Sequence, residues 1–368
     1  MRRSRRGGGA RGSSHCDASG LFGSRRIERA THRDVAVRSL CAGPHPDPDT
    51  LGAFRRRHLA APATAFVDGL ERARELQRLK LGGVSLEGTH LRASASKDQN
   101  VPCARAGQLR EALRRDVGEL PAQAEAGNRE GSAKGPEPKP PQDTPEPDEP
   151  INFTDADARL MRKSKREGYT QSDNAQAVVD ADGRQLIAGR RVSTGAADVG
   201  ETEADLARLP PRLGATTAAL ADGGSADKAT LERLARERPG LDLYLSVHRE
   251  DAHAEGRGDW RPLDKSQPPQ KLTDPVRLAM AEKRRTPEGK ATCRRRARPV
   301  EPVFGIIPSA HSAGSGLAAS SGPCGKAALG FRQFLRRGLQ KVSGEGNLVC
   351  RACNCKRRHT LRRAALAG

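Results

Sequence analysis

The sequence predicts a mixed α/β protein, because short apolar runs with strand periodicity alternate with amphipathic stretches at helical spacing. Three segments carry that prediction. Leu81 to Ser96 alternates in the manner of a strand, Asn174 to Ser193 holds two alternating runs around a turn at Asp180-Ala-Asp-Gly183, and Ala215 to Val247 reads strand, helix, strand. The expected sheet is therefore mixed, with basic helices before it and a Pro-rich insert within it.

Residues 1–20 are a Gly/Ser-rich basic tail, expected to be disordered. Within 21–80 two basic helices are expected. In the first, Asp49 or Thr50 caps a turn that sets Leu51, Phe54 and Leu59 on one side and Arg55 to Arg57 around the other. The second runs from Thr64 to Leu79 with Phe66, Leu70 and Ala73 on one stripe. Leu81 to Ser96 is expected to break at Gly88 into strand, turn and strand. A charged helix from Gly107 to Ala124 then leads into 127–150, where seven prolines lie between Pro136 and Pro150 among Glu, Asp and Lys. Such a stretch stays extended and buries nothing, so 101–150 reads as a charged helix followed by a linker.

Further on, Asn174 to Ser193 is a hairpin and Ala215 to Asp222 a short strand ending in an acid. Ser225 caps a helix from Ala226 to Arg238 with Leu231, Leu234 and Ala235 inward, Leu241 to Val247 is another strand, and 249–269 is polar loop. Near the C-terminus Phe331, Phe334, Leu335, Leu339 and Val342 recur at helical spacing while Arg332, Arg336 and Lys341 fall elsewhere, which predicts one amphipathic basic helix.

Composition narrows the function. Aromatics make up 3% of the chain and 39 Gly and 25 Pro dilute it, so the expected core is small and discontinuous. A formal charge of +20 and a pI near 10.3 make a polyanion the expected partner, since Lys and Arg displace condensed counterions from phosphates. No apolar run approaches the ~18 residues a membrane span needs, and the basic start is followed by Gly-rich rather than apolar sequence, so no membrane partner and no secretory signal are expected. Eight cysteines without framework spacing fit a reducing compartment, with the cytoplasm the simplest location. Cys350, Cys353, Cys355 and His359 are the one group of soft ligands close enough in sequence to consider for zinc, at a spacing tighter than zinc fingers use.

Two phrases, Ala297-Arg-Pro-Val-Glu-Pro-Val-Phe-Gly-Ile-Ile307 and Gly330-Phe-Arg-Gln-Phe-Leu-Arg-Arg-Gly-Leu339 continuing to Val349, resemble the C-terminal signature of bacterial insertion-sequence transposases of the DDE type. Ser24-Arg-Arg-Ile-Glu28, His45-Pro-Asp-Pro-Asp-Thr50 and Asn152-Phe-Thr-Asp155 are similar to other phrases of that family, and the likeness spans 21–100 and 151–359 in patches. The resemblance implies a ribonuclease-H-like core split between 81–100 and 151–359, a DNA-binding-like helical region over 21–80 that is shorter than the family's, a Ser/Gly-rich insertion at 308–325 and a tail at 360–368. It implies DNA cleavage followed by strand transfer in DNA transposition. Glu87, Asp222 and Glu301 would be the catalytic acids and the ligands of two Mg²⁺ (or Mn²⁺) ions. Arg294, Arg295, Arg296, Lys326, Arg332 and Arg336 would grip phosphates of the element ends and target DNA, with a homodimer on DNA as one arrangement and the DNA-bound cytoplasmic pool as the location.

The chain also departs from the family. Glu87 stands where the family has Asp, Ser225 and Cys293 where it has Tyr, Gly346 where it has Trp, and Pro308 interrupts a helix that the family continues. These departures imply an impaired copy. Two other readings stay open, a non-enzymatic basic DNA-binding remnant and a largely disordered product without function.

Overall fold

A computed structural model describes residues 15–58, 60–112, 149–162, 168–182, 184–196, 200–221, 228–245, 275–293, 331 and 333–367. The expected Pro-rich linker, apart from its last two residues, the 308–325 insertion, the polar loop at 249–269 and most of the basic tail lie outside them. Helices α1 (Ser24–Arg33), α2 (Val35–Leu40), α3 (Pro48–Arg57) and α4 (Ala61–Glu75) precede the sheet, and residues 15–18 of the expected disordered tail are also helical. Asp34 caps α2 by accepting the Ala36 and Val37 N–H groups at 2.8 and 3.1 Å. The cap of α3 is Asp47 rather than Asp49 or Thr50. Its Oδ1 accepts both of those N–H groups, at 2.9 and 2.8 Å, and Pro48 occupies the first helical position, where its missing N–H is no loss. Helix α4 buries Phe66, Leu70 and Ala73 as the stripe requires, and ends at Glu75, with Gln77 at φ 54° turning the chain.

Two short strands, β2 (Asn100–Pro102) and β3 (Pro150–Asn152), pair antiparallel beside the main sheet. The main sheet contains β1 (Gly83–Arg92), β4 (Arg159–Met161), β5 (Thr170–Asp180), β6 (Ile187–Ser193), β7 (Ala218–Ala221) and β8 (Asp242–Leu245). It is mixed, as expected. β1 runs antiparallel to β5 and parallel to β7, β7 runs parallel to β8, and β4 and β6 share the far edge of β5. The expected break at Gly88 is not there: β1 is one strand, paired with β5 from Val84 opposite Asp180 to Arg92 opposite Ser172, with Gly88 opposite Gln176. Because β5 offers a continuous ladder, both halves of β1 find partners without folding back on each other. The β5–β6 hairpin forms where expected. There Gly189 faces Val178, and a Cβ on it would sit 3.2 Å from that side chain, so any larger residue would have to push Val178 aside.

Helices α5 (Glu201–Leu206), α6 (Lys228–Glu237) and α7 (Pro275–Arg285) lie between or after the later strands. The long C-terminal helix α8 (Leu339–Ala367) packs against α4 and β6, and the Asn354 side chain both donates to and accepts from the Ile187 backbone at 2.8 Å, in the manner of one more strand. The predicted amphipathic helix is shortened by this arrangement. Residues 333–338 are not helical: Gln333 bridges Arg92 of β1, the Phe334 N–H donates to the Arg92 carbonyl at 2.9 Å, and Gly338 turns the chain at φ 81°. Phe331 and Phe334 are buried at 3% and 1% exposure and meet edge to face, while Leu335 is 55% exposed instead of inward. The aromatic periodicity reflects insertion into the core, where Phe22 also meets Phe331 edge to face at 5.1 Å, rather than one face of a helix.

Phe334 is therefore a keystone of that junction, and Phe334→Ala should lower unfolding free energy by about 3–5 kcal/mol in a urea titration. Gly346 lies inside α8 beside an apolar cavity of about 30 Å³, and a Cβ there would meet only Val192 at 3.6 Å. Gly346→Ala should raise stability by about 0.5–1 kcal/mol in the same titration.

Candidate functional site

Parallel strands β1 and β7 are registered with Gly83 opposite Ala218, Val84 opposite Ala219 and Ser85 opposite Leu220. Glu87 lies two residues beyond Ser85 on β1, half-buried, opposite Ala177 of β5. In the chain, Asp222 stands two residues beyond Leu220 and directly follows Ala221, the last residue of β7. Glu87 thus lies in the middle of β1, just beyond the stretch that pairs with β7. Asp222 itself lies outside the described residues, as do Glu301, Arg294, Arg295, Arg296, Lys326 and Arg332. Glu87 offers hard oxygen donors of the kind Mg²⁺ or Mn²⁺ takes. Among the described residues no three Asp, Glu, His or Cys side chains are grouped to hold a metal.

Arg336 is the one expected DNA-contacting residue that is described, and it is not beside Glu87. Its segment joins β1 at Arg92, five residues and thus ~16 Å along the strand from Glu87. Arg336 is half-buried near Glu345, Arg55 and Arg56, and burial pulls its guanidinium below the ordinary arginine range while Glu345 opposes that shift. The fold thus joins a basic stretch of α3 to one of the C-terminal phrase, although nearly the whole chain separates them. Arg55 is also held inward, pairing with buried Asp17 at 2.7 Å.

A second cluster was not anticipated from sequence. Asp155, Asp157, Asp173 and Glu345 are all buried and close enough to influence one another. Asp173 shares the Glu87 face of the sheet, since Leu91 is its cross-strand partner and lies an even number of residues from Glu87. Burial, then the charges of Asp155, Asp157 and Glu345, push the Asp173 carboxyl up to about 8. Burial also pushes Glu345 up to about 7, against the opposing N–H groups of Leu335 and Arg336. The phrase around Asn152 includes Asp155 but gives no sign that it would be buried. Nothing in the strand pattern distinguishes Asp173 from a solvent-facing acid.

No family model matches the chain, and neither a curated protein nor a solved structure does. Among the described residues no helix is long and apolar enough to cross a membrane.

The four considered zinc ligands all lie on α8, which sets them on opposing sides. At about 100° per residue Cys350 and Cys353 face one way while Cys355 and His359 face the other. Cys350 and Cys353 are buried in the main core, and Cys355 and His359 are exposed. They cannot converge on one ion. Burial pushes the Cys350 thiol up to about 11, so it stays protonated and packs as an apolar group. A thiol-labelling reagent at pH 8 should therefore modify Cys355 within minutes and Cys350 only on unfolding, as read by peptide mass mapping.

Proposed function

We propose that this chain is a DDE-type transposase-like protein with a ribonuclease-H-like core, in which Glu87, Asp222 and Glu301 carry metal-dependent DNA cleavage and strand transfer. The reading rests on one observation above the others. Strands β1 and β7 run parallel with Ser85 opposite Leu220, Glu87 follows Ser85 by two residues on β1, and in the sequence Asp222 follows Leu220 by two. The net charge of +20 supports DNA as the partner. A pair of Mg²⁺ or Mn²⁺ ions at such carboxylates would neutralise the attacking and leaving oxygens of the phosphodiester. Glu87 presents its carboxylate one methylene farther forward than the Asp that the family writes at this position. A displacement of about 1 Å at a reacting centre costs on the order of a hundredfold in rate, so this copy is a slow one.

A non-enzymatic DNA-binding protein is the second reading. It is favoured by the net charge of +20, which does not depend on the three acids.

Incubation of a supercoiled plasmid bearing the DNA that flanks the gene, with Mg²⁺ or Mn²⁺, separates the two. Slow nicking that vanishes in Asp222→Ala and quickens about 10- to 100-fold in Glu87→Asp is expected on the first reading. Retained DNA binding with no nicking in any variant leaves only the second, and nicking that survives Asp222→Ala removes these acids from the chemistry.

A further inference from the structure

The start of α8 is tied to the sheet by carboxylates. The Gly338 N–H donates to Asp155 Oδ1 at 3.1 Å and the Leu339 N–H to Asp157 Oδ2 at 2.8 Å. From the second turn of the helix, Glu345 Oε2 reaches back to accept the Leu335 and Arg336 N–H groups at 2.9 and 3.1 Å. Behind these contacts stands Asp173, 1% exposed, with neither carboxylate oxygen hydrogen-bonded to any described residue. Asp155 Oδ2 is buried and likewise lacks a hydrogen-bond partner among the described residues.

Positive charge around the cluster is limited. On the β4 side Arg159 faces Asp173 but is shared with Glu149, at 2.8 Å. On the α3 side Arg55 faces Glu345 but is paired with Asp17. Arg336 faces Glu345 from the segment before α8. Four acids thus share a buried site with cations that already serve other partners.

We propose that this cluster is a proton-operated latch on the C-terminal helix: protons retained on Asp173 and Glu345 keep the start of α8 and the Phe334 segment docked on β1 and β5, and their loss releases them. The inference does not depend on metal binding or on DNA cleavage. An unpaired buried carboxylate cannot hold its charge without solvent or a partner, so ionisation favours any conformation that opens Asp173 to water. The direction follows from the raised values. A carboxyl whose folded value lies above its unfolded value near 4 stabilises the closed form fully below that value, and loses this stabilisation as pH rises through about 7 for Glu345 and about 8 for Asp173. The latch is closed in acid and weakest above pH 8.

Hydrogen exchange of the full-length protein, corrected for intrinsic rates, tests this between pH 6 and 9. Protection of peptides covering 333–345 should fall by about a hundredfold per pH unit up to pH 7, where both carboxyls keep their protons in the closed form, by about tenfold from pH 7 to 8, and level off above it, while peptides from α4 stay constant. Asp173→Asn removes the charge at nearly constant shape and should hold protection flat above pH 7. Glu345→Gln keeps an acceptor for Leu335 and Arg336 and should leave only the step near pH 8. Flat protection in the unmodified protein, or an equal fall in Asp173→Asn, overturns the latch. If Asp173→Asn does not fold, a Glu345→Gln profile identical to that of the unmodified protein overturns it instead.

Discussion

Strand β1 is hydrogen-bonded along both edges, and the rest of the structure takes its position from that constraint. Its antiparallel partner β5 runs its whole length, while parallel β7 covers only Gly83 to Ser85. The edge left open beyond β7 is used again at Arg92, where Gln333 bridges the strand and the Phe334 N–H donates to Arg92. A single strand thereby fixes the relative positions of the hairpin, the β7–β8 pair and the C-terminal helix. Glu87 sits in the middle of it, at the level where β7 ends.

A chain with 3% aromatics cannot fill such an assembly with rings alone, and the core shows how it manages. Phe22, Phe331 and Phe334 gather at one junction, the Arg190 guanidinium lies 5.0 Å over Phe66, and the remaining volume is mostly Leu, Val and Ala. Side-chain to backbone hydrogen bonds supply the precision that packing does not. Asn354 completes the edge of β6, and Asp155, Asp157 and Glu345 position the turn before α8. The cost is the buried carboxyl of Asp173, which no residue in the described structure hydrogen-bonds. Charged groups held in this way make the docking of α8 sensitive to protonation, whereas an apolar interface would have been indifferent to it.

Much of the fold was legible because periodicity is a local property. Phe66, Leu70 and Ala73 repeat at helical spacing and are buried together on α4, and the two alternating runs around Asp180-Ala-Asp-Gly183 pair as β5 and β6. Where the reading missed, a distant partner had overridden a local signal. Gly88 looked like a turn until β5 supplied a ladder across it, and the spacing of Phe331, Phe334 and Leu335 looked helical although the first two are core insertions and the third is exposed. Of the three acids proposed to bind metal only Glu87, on β1, is described, while Asp222 and Glu301 fall outside the described residues.

The amino-acid sequence by itself determined the alternation of strands and helices, the strong positive charge and the apolar runs that end in Glu87 and Asp222. Those features depend on residue type and on spacings of a few positions, so neighbours along the chain suffice to read them. Only the tertiary structure decided that β1 and β7 run parallel with Ser85 opposite Leu220, that Cys350 and Cys353 turn away from Cys355, and that Asp155, Asp157, Asp173 and Glu345 meet. Register and burial are set by partners far apart in the chain, 190 positions in the case of Asp155 and Glu345, and no local pattern encodes which of 45 carboxylates will lose its water.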